Sequence, residues 1–297
     1  MVPVSAGARR EIALAKARFL ALCLLSAENN MNLSGSKASV TVPDPEELLK
    51  EVRASLERES RIRARQYPIQ VAFNDADNTI TLQGEAPDIA AKKLALELAA
   101  DAPGVRGVVD RLRVTPSQRM SDDEIRDHIR DAFIQEPAFG NCAIRVQTRE
   151  GVETFNDPME MRGDITIIVD QGMALQEGRD GGIVLLEGQA PSLSHKRLAG
   201  TLAWWVPGSR DVLNCLEVVP PEEDNDDEIT DAVKIILDKD PFVDDVQILV
   251  TTRDRVVSLD GATPSEGEKD MAEFDAWFVF GVDKVINNIE VVAPSRE

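Results

Sequence analysis

The chain has 297 residues, 43% of them hydrophobic, and a formal net charge of −20. This length allows two or three domains with their own cores. The acidity is concentrated in the second half of the chain. Residues 118–223 carry 10 basic and 19 acidic residues, and residues 224–295 carry 6 and 18. We expect no nucleic-acid partner, because nonspecific affinity for duplex DNA comes from neutralising its phosphates.

Residues 1–43 form an extension with five basic and two acidic residues, and residues 31–43 are typical of a flexible linker. An apolar run at residues 19–27 follows Arg9 and Arg10, as in a signal peptide, but Lys16 and Arg18 shorten it. The run is too short to cross a bilayer, which takes roughly 20 apolar residues, so we expect no transmembrane span. We favour a nonessential extension, or a true start at Met31, over a degenerate export signal. Cytoplasmic and periplasmic locations both stay open.

Residues 44–117 predict the order helix, strand, strand, helix, strand. A helix opens at Asp44 and Pro45, and its apolar residues recur at helical spacing: Leu48, Leu49, Val52 and Leu56. Alternating apolar residues then predict two strands, the first at Ile69, Val71 and Phe73 and the second at Ile80 and Leu82. A second helix carries Leu94, Ala95, Leu98, Ala99 and Ala102, and a returning strand carries Val108, Leu112 and Val114.

This pattern contains two glycines and a proline at fixed positions, and it occurs three times in the chain. The glycine pairs are Gly84 and Gly104, Gly188 and Gly208, and Gly261 and Gly281, each 20 positions apart. The shared pattern is G-x2-P-x16-G-x3-V-x3-[L/I]-x-V, which indicates internal repeats. We expect the first glycine to end a strand, the proline to begin a helix and the second glycine to follow the helix end. The units are predicted at residues 44–117 (unit 1), 118–220 (unit 2) and 221–294 (unit 3).

Unit 2 contains an insertion at residues 148–182. Ser121 is the predicted N-cap of its first helix, and Ile144 and Val146 belong to its first strand. Within the insertion, residues 165–169 read Ile-Thr-Ile-Ile-Val and predict an extra strand. We expect an elongated hairpin or an added strand at the edge of the sheet.

The repeated unit resembles the BON domain, named for bacterial OsmY and nodulation proteins. The resemblance is carried in unit 3 by Ser258-Leu259-Asp260-Gly261 and by Phe280-Gly281-Val282-Asp283, followed by Val285, Asn288 and Ile289. Unit 2 matches from residue 183 to 219, and unit 1 lacks the asparagine. The resemblance implies an α+β fold of three tandem α-β-β-α-β units, each a three-stranded mixed sheet with two helices. It also implies a bacterial, nonenzymatic protein of the envelope or osmotic-stress type that binds phospholipid surfaces.

Two groups of side chains are candidates for binding. Arg58, Arg61, Arg63 and Arg65 end the first helix of unit 1 and would suit phosphate headgroups; the alternative is a solvated helix end. Trp204 and Trp277 stand four residues before the second glycine of units 2 and 3 and would suit a membrane interface or a protein partner. Their alternative is packing on the sheet or between units. Asp275, in place of an apolar residue, predicts a rotated helix or an exposed face.

The residues that usually carry catalysis are sparse. His128 and His195 are the two histidines, and no nucleophile or acid–base set accompanies them. Cys142 and Cys215 are predicted to be free thiols, and we expect no cofactor and no metal site. We therefore expect a binding protein and not an enzyme. The alternative to a lipid or envelope binder is a cytoplasmic scaffold that binds a protein, a small ligand or an ion; self-association stays open.

Overall fold

A computed structural model describes residues 44–148, 150–169 and 181–292. The predictions for the N-terminal extension, including its apolar run, lie outside these residues. Within the described ranges, no helix has the length and apolar character needed to cross a membrane.

Unit 1 folds in the predicted order of elements. They are α1 (Pro45–Arg58), β1 (Ile69–Asn74), β2 (Thr79–Ala86), α2 (Ile89–Ala100) and β3 (Gly107–Val114). Leu48, Val52 and Leu56 lie on one face of α1 and are buried, as their four-residue spacing predicts. Strand β2 is central, antiparallel to β1 and parallel to β3. One face of this mixed sheet packs against both helices.

Unit 2 builds a larger sheet. Its elements are α3 (Asp122–Gln135), a 3₁₀ turn (Pro137–Phe139), β4 (Cys142–Gln147), β5 (Val152–Asn156), β6 (Gly163–Val169), β7 (Ile183–Ala190), α4 (Leu193–Trp205), β8 (Asp211–Asn214) and β9 (Glu217–Val218). The strand order is β5-β4-β6-β7-β8, with β9 also beside β7. Ser121 caps α3 as predicted, in a reciprocal capping box with Glu124.

The strand predicted at residues 165–169 is present as part of β6, but it is not an added strand at the edge. It pairs with β7 as β1 pairs with β2, so β4 and β5 are the strands that unit 2 adds. Strand β6 lies inside the sheet, antiparallel to β7 and parallel to β4. Ile165 and Ile167 are buried on its core side, which explains why it is interior. The edge position falls to β5, whose residues are nearly all exposed.

Unit 3 repeats the topology of unit 1. Its elements are α5 (Asp226–Lys239), a 3₁₀ turn (Asp245–Gln247), β10 (Ile248–Arg253), β11 (Val256–Thr263), α6 (Glu266–Phe278) and β12 (Lys284–Val291). Strand β11 is central, antiparallel to β10 and parallel to β12. The α+β class and the three-stranded mixed sheets predicted for units 1 and 3 are confirmed.

We predicted that the first glycine of each repeat would end its strand, and this prediction is wrong, because each glycine lies inside the strand. Gly261 lies inside β11 at φ +143°, and a Cβ there would sit 1.9 Å from the Gln247 carbonyl. The glycine therefore lets the preceding strand approach closely, and β11 continues to Thr263. The proline does not begin the helix either. It precedes the N-cap residues, which are Asp88, Ser192 and Ser265.

The second glycine also differs from the prediction. The helices end three or four residues earlier, at Ala100, Trp205 and Phe278. Gly104 and Gly281 have φ values of +85° and +94° in the turn that follows. Gly208 serves close packing instead, because a Cβ there would lie 2.7 Å from Met120 Cβ.

The units pack against one another through their helices. One core belongs to unit 1, while a second joins units 2 and 3 and also includes Ile89 and Ala90 of α2. Helix α6 contacts both α2 and α4, and α4 also contacts α5. In the described residues the three units therefore pack on one another and are not separate domains on linkers.

Candidate functional site

The four predicted arginines lie at the end of α1 and in the turn after it. All four are exposed. Arg58 is the last residue of α1, and its Nε donates to the Ala54 carbonyl at 3.0 Å. Arg61 pairs with Glu273 of α6, so part of this basic edge is used between units 1 and 3. Arg63 has a positive φ of 52°. A role in headgroup binding stays a prediction.

The two predicted tryptophans face other helices of the same chain. Trp277 is fully buried, and its Nε1 donates to Glu273 Oε1 at 3.3 Å. Trp204 is partly buried and stacks on Phe278, with ring centroids 6.0 Å apart. Packing between units is thus their observed environment, and Trp277 offers no surface to a partner in this conformation.

Units 1 and 2 each contribute one basic side chain that binds the turn after α6. Lys93 and Arg197 occupy the same repeat position, nine residues after Gly84 and Gly188. Lys93 Nζ donates to the carbonyls of Val279 and Val282 at 3.1 and 3.0 Å. Arg197 Nε donates to the Phe280 carbonyl at 3.0 Å. Cations are favourable there, because the C-terminal end of a helix carries partial negative charge.

The burial of these two cations has different electrostatic consequences. Burial lowers the pKa of Lys93 to about 7, with Asp283 opposing and Arg255 adding to that shift. Arg197 is fully buried and has a carboxylate partner, since its Nη2 lies 2.5 Å from Asp224 Oδ1. The turn after α6 therefore depends on both neighbouring units for its hydrogen bonds.

A separate buried group of charged side chains joins unit 1 directly to unit 2. Lys92 Nζ lies 2.5 Å from Asp211 Oδ1 and 2.9 Å from Asp110 Oδ2. Arg113 Nη1 binds the other oxygen of Asp211 at 2.7 Å. A main-chain bond from the Val114 N–H to the Arg210 carbonyl, at 2.8 Å, continues this contact. These bonds fix the end of β3 against the start of β8.

Asp275 is buried between units 2 and 3, which contradicts the rotated or exposed helix face that we predicted for it. Its side chain is 2% exposed, and Trp205 Nε1 donates to its Oδ1 at 2.9 Å. Burial first, and the neighbouring carboxylate of Asp240 second, raise its pKa to about 8. The local sequence identified an unusual residue here but not its carboxylate neighbour.

Exposed large apolar side chains are distributed unevenly among the units. Within the described residues none precedes Ile134, so the basic edge of unit 1 has no such neighbour in its own unit. Two groups stand out in units 2 and 3: Val152, Phe155, Met159 and Met161; and Phe242, Val246 and Leu249. We did not predict either group. The alternation of Ile248 and Val250 as inward residues was the available signal, because it places Leu249 outward.

The two histidines form local hydrogen-bond contacts within their own helices or caps, and the described cysteines form no disulfide. His128 Nδ1 lies 2.7 Å from the Glu124 carbonyl, and His195 Nδ1 lies 2.6 Å from Ser192 Oγ. Cys142 and Cys215 are not joined in a disulfide, and burial raises the pKa of the Cys142 thiol. In the described ranges no three His, Cys, Asp or Glu side chains are grouped to hold a metal ion.

Comparison with known proteins identifies the repeats. The BON domain profile matches residues 44–116, 177–220 and 225–293. No curated protein matches the chain. Two structures of CdsD, a structural protein of the type III secretion system of Chlamydia trachomatis, are similar at 13% identity over 84% of this chain. They are covered over 99% and 94% of their length with TM-scores of 0.20 and 0.21, which carry no functional argument. The BON matches span more than half of the residues, and the chain belongs to the BON domain family.

Proposed function

We propose that this chain is a nonenzymatic scaffold that binds a protein partner through units 2 and 3. BON domains are generally noncatalytic binding modules, which supports the class of function. The observation that carries the proposal is the position of the exposed large apolar side chains. All those in the described residues lie between Ile134 and Val292, in the acidic part of the chain.

The same distribution argues against an anionic membrane as the main target. Peripheral membrane binding combines buried apolar side chains with basic residues that face the headgroups. Here the exposed apolar residues lie in the two units that carry most of the acidic charge, and the basic edge has no large exposed apolar residue in its own unit. Exposed apolar groups with a charged rim instead match the anatomy of protein interfaces.

Site-specific photo-crosslinking in cells tests the scaffold proposal. A photoreactive residue is placed at Met159 in unit 2, at Phe242 in unit 3 or at Ala72, an exposed position on β1 of unit 1. We expect a defined protein adduct from at least one of the first two positions and a much weaker one from Ala72. Adducts of equal intensity from all three positions, or to lipid alone, would refute the proposal.

The second candidate is binding to phospholipid surfaces, as the family resemblance implies. The exposed Arg58, Arg63 and Arg65 favour it, because each basic residue near an anionic surface contributes about 1 kcal/mol. Flotation of the full chain with phosphatidylglycerol vesicles at low salt decides this question. We expect no co-flotation. Co-flotation that is lost when all three arginines become glutamine would favour the lipid function, and the envelope or stress role would follow from it.

A further inference from the structure

We propose that the open edge of β10, together with Phe242, Val246 and Leu249, is the docking site for an extended basic segment of a partner protein. This inference rests on the proposed scaffold function and names the surface and the kind of partner. Among the described strands, β10 is the end strand of its sheet and pairs only with β11. Such an edge presents unpaired main-chain N–H and C=O groups to an incoming strand.

The three apolar side chains lie within eight residues and are strongly exposed. Phe242 is 72% exposed, Val246 87% and Leu249 61%. Leu249 lies on the uncovered face of the sheet, because Ile248 and Val250 on either side of it are buried. An added strand would place its own side chains beside Leu249, where cross-strand apolar pairs form.

The corresponding positions of units 1 and 2 are different. Ile248 pairs with Gly261, just as Ile69 pairs with Gly84 and Ile165 with Gly188. The next residue outward is Leu249 in unit 3, whereas it is Gln70 in unit 1 and Thr166 in unit 2. The equivalent strand of unit 2 is also covered on its far side by β4. An exposed apolar residue at this repeat position is therefore particular to unit 3.

The charges around this edge define the partner. Residues 240–253 contain three aspartates and one basic residue, Arg253, at the far end of β10. Asp260 stands opposite Leu249 on β11, and Glu268 accepts from the Asp244 N–H at 2.8 Å. The preceding Lys239 is already bound to Glu136 at 3.0 Å. Charge repulsion disfavours a second copy of this acidic surface and an anionic bilayer, whereas a basic segment is attracted.

Peptide binding to the full chain tests this inference. The probe is a fluorescein-labelled peptide of about ten residues that alternates lysine and valine, a length that spans an edge strand. Two peptides serve as controls: one alternates glutamate and valine, and one has the lysine and valine residues in scrambled order. Fluorescence anisotropy gives the Kd, and hydrogen–deuterium exchange of residues 248–253 locates the peptide. We expect binding of the alternating basic peptide and protection of β10.

Matched variants separate docking from general attraction to an acidic protein. Leu249→Ser combined with Val246→Ser should weaken binding by about tenfold, as expected for central apolar contacts. Ile286→Ser is the control, because Ile286 is also exposed and lies on β12, at the opposite edge of the same sheet. It should change the Kd less than about twofold.

Three results would overturn the inference. They are equal affinity for the scrambled peptide, protection of other segments instead of β10, and equal weakening by Ile286→Ser. Failure of this peptide together with a protein adduct from Met159 would leave the scaffold function standing and remove only this site. Absence of both would reject the two proposals together.

Discussion

Replacing Asp275 with asparagine should make the protein more stable at neutral pH, although the residue is buried. The carboxyl group has a pKa of about 8 in the folded protein against an ordinary value of 3.8. Between these values the folded protein holds a proton that the unfolded chain releases. The free energy of unfolding therefore falls as pH rises from 3.8 to about 8 and levels off above that.

The size of the effect follows from this difference. Each pH unit between 3.8 and 7 is worth about 1.4 kcal/mol, so holding the proton at pH 7 costs at most about 4 kcal/mol. Asparagine has nearly the same shape, accepts from Trp205 Nε1 and offers an N–H to Asp240. We therefore expect Asp275→Asn to raise the free energy of unfolding by about 2–4 kcal/mol at pH 7.

Urea unfolding followed by tryptophan fluorescence at pH 5, 6, 7 and 8 measures this effect. The gain of Asp275→Asn over the wild type should increase with pH across the series. Asp270→Asn is the control, because Asp270 is exposed on the same helix, and it should change stability by less than about 0.5 kcal/mol. A loss of stability at pH 7, or a gain independent of pH, would refute a buried protonated carboxyl.

Urea unfolding also tests three further substitutions. Those of Arg197 and Lys93 lie at contacts between units, and that of Gly261 lies within the sheet of unit 3. Arg197→Met should lower stability by about 3–5 kcal/mol, because it removes a fully buried guanidinium and its bonds to the Phe280 carbonyl and the half-buried Asp224 carboxylate. Lys234→Ala, which removes an exposed side chain, should change stability by less than about 0.5 kcal/mol. Gly261→Ala should lower stability by about 3 kcal/mol or more, because its Cβ would strike a carbonyl at positive φ. Gly267→Ala, in an open helical position, should raise it by about 0.5–1 kcal/mol. Lys93→Met should abolish a rise in stability between pH 8 and 10, above the range in which Asp275 titrates. Below its ordinary pKa of 10.5 the unfolded chain holds a proton that the folded protein releases above about pH 7. An unchanged rise, or equal effects of each substitution and its control, would contradict these assignments.

Local patterns predicted most of the secondary structure. The four-residue spacing of Leu48, Val52 and Leu56 is sufficient to define a buried helix face, because it depends only on helical geometry. The N-caps were also readable, since Asp88 and Ser192 directly follow the repeat proline. We placed those helix starts two residues too early because proline is itself common at the first helical position.

Local sequence patterns did not predict the contacts between units. Nothing near Trp277 in the sequence indicates that Lys93 of α2 lies over its ring, and nothing near Asp275 indicates the approach of Trp205. The order of strands in unit 2 could not be predicted for the same reason. Alternation predicted β6, but its position between β4 and β7 depends on pairing with distant residues.

Divergence at one repeat position explains why three similar units form an asymmetric body. Nine residues after the first glycine stand Lys93, Arg197 and Asp270. The two cations converge on the turn after α6, while Asp270 is exposed and acidic. Unit 3 therefore receives contacts that it does not return to either neighbour at this position. That asymmetry packs helix α6 of unit 3 against both neighbours and leaves the β10 edge of its sheet, with Leu249 outward, as the surface at which we propose that a partner docks.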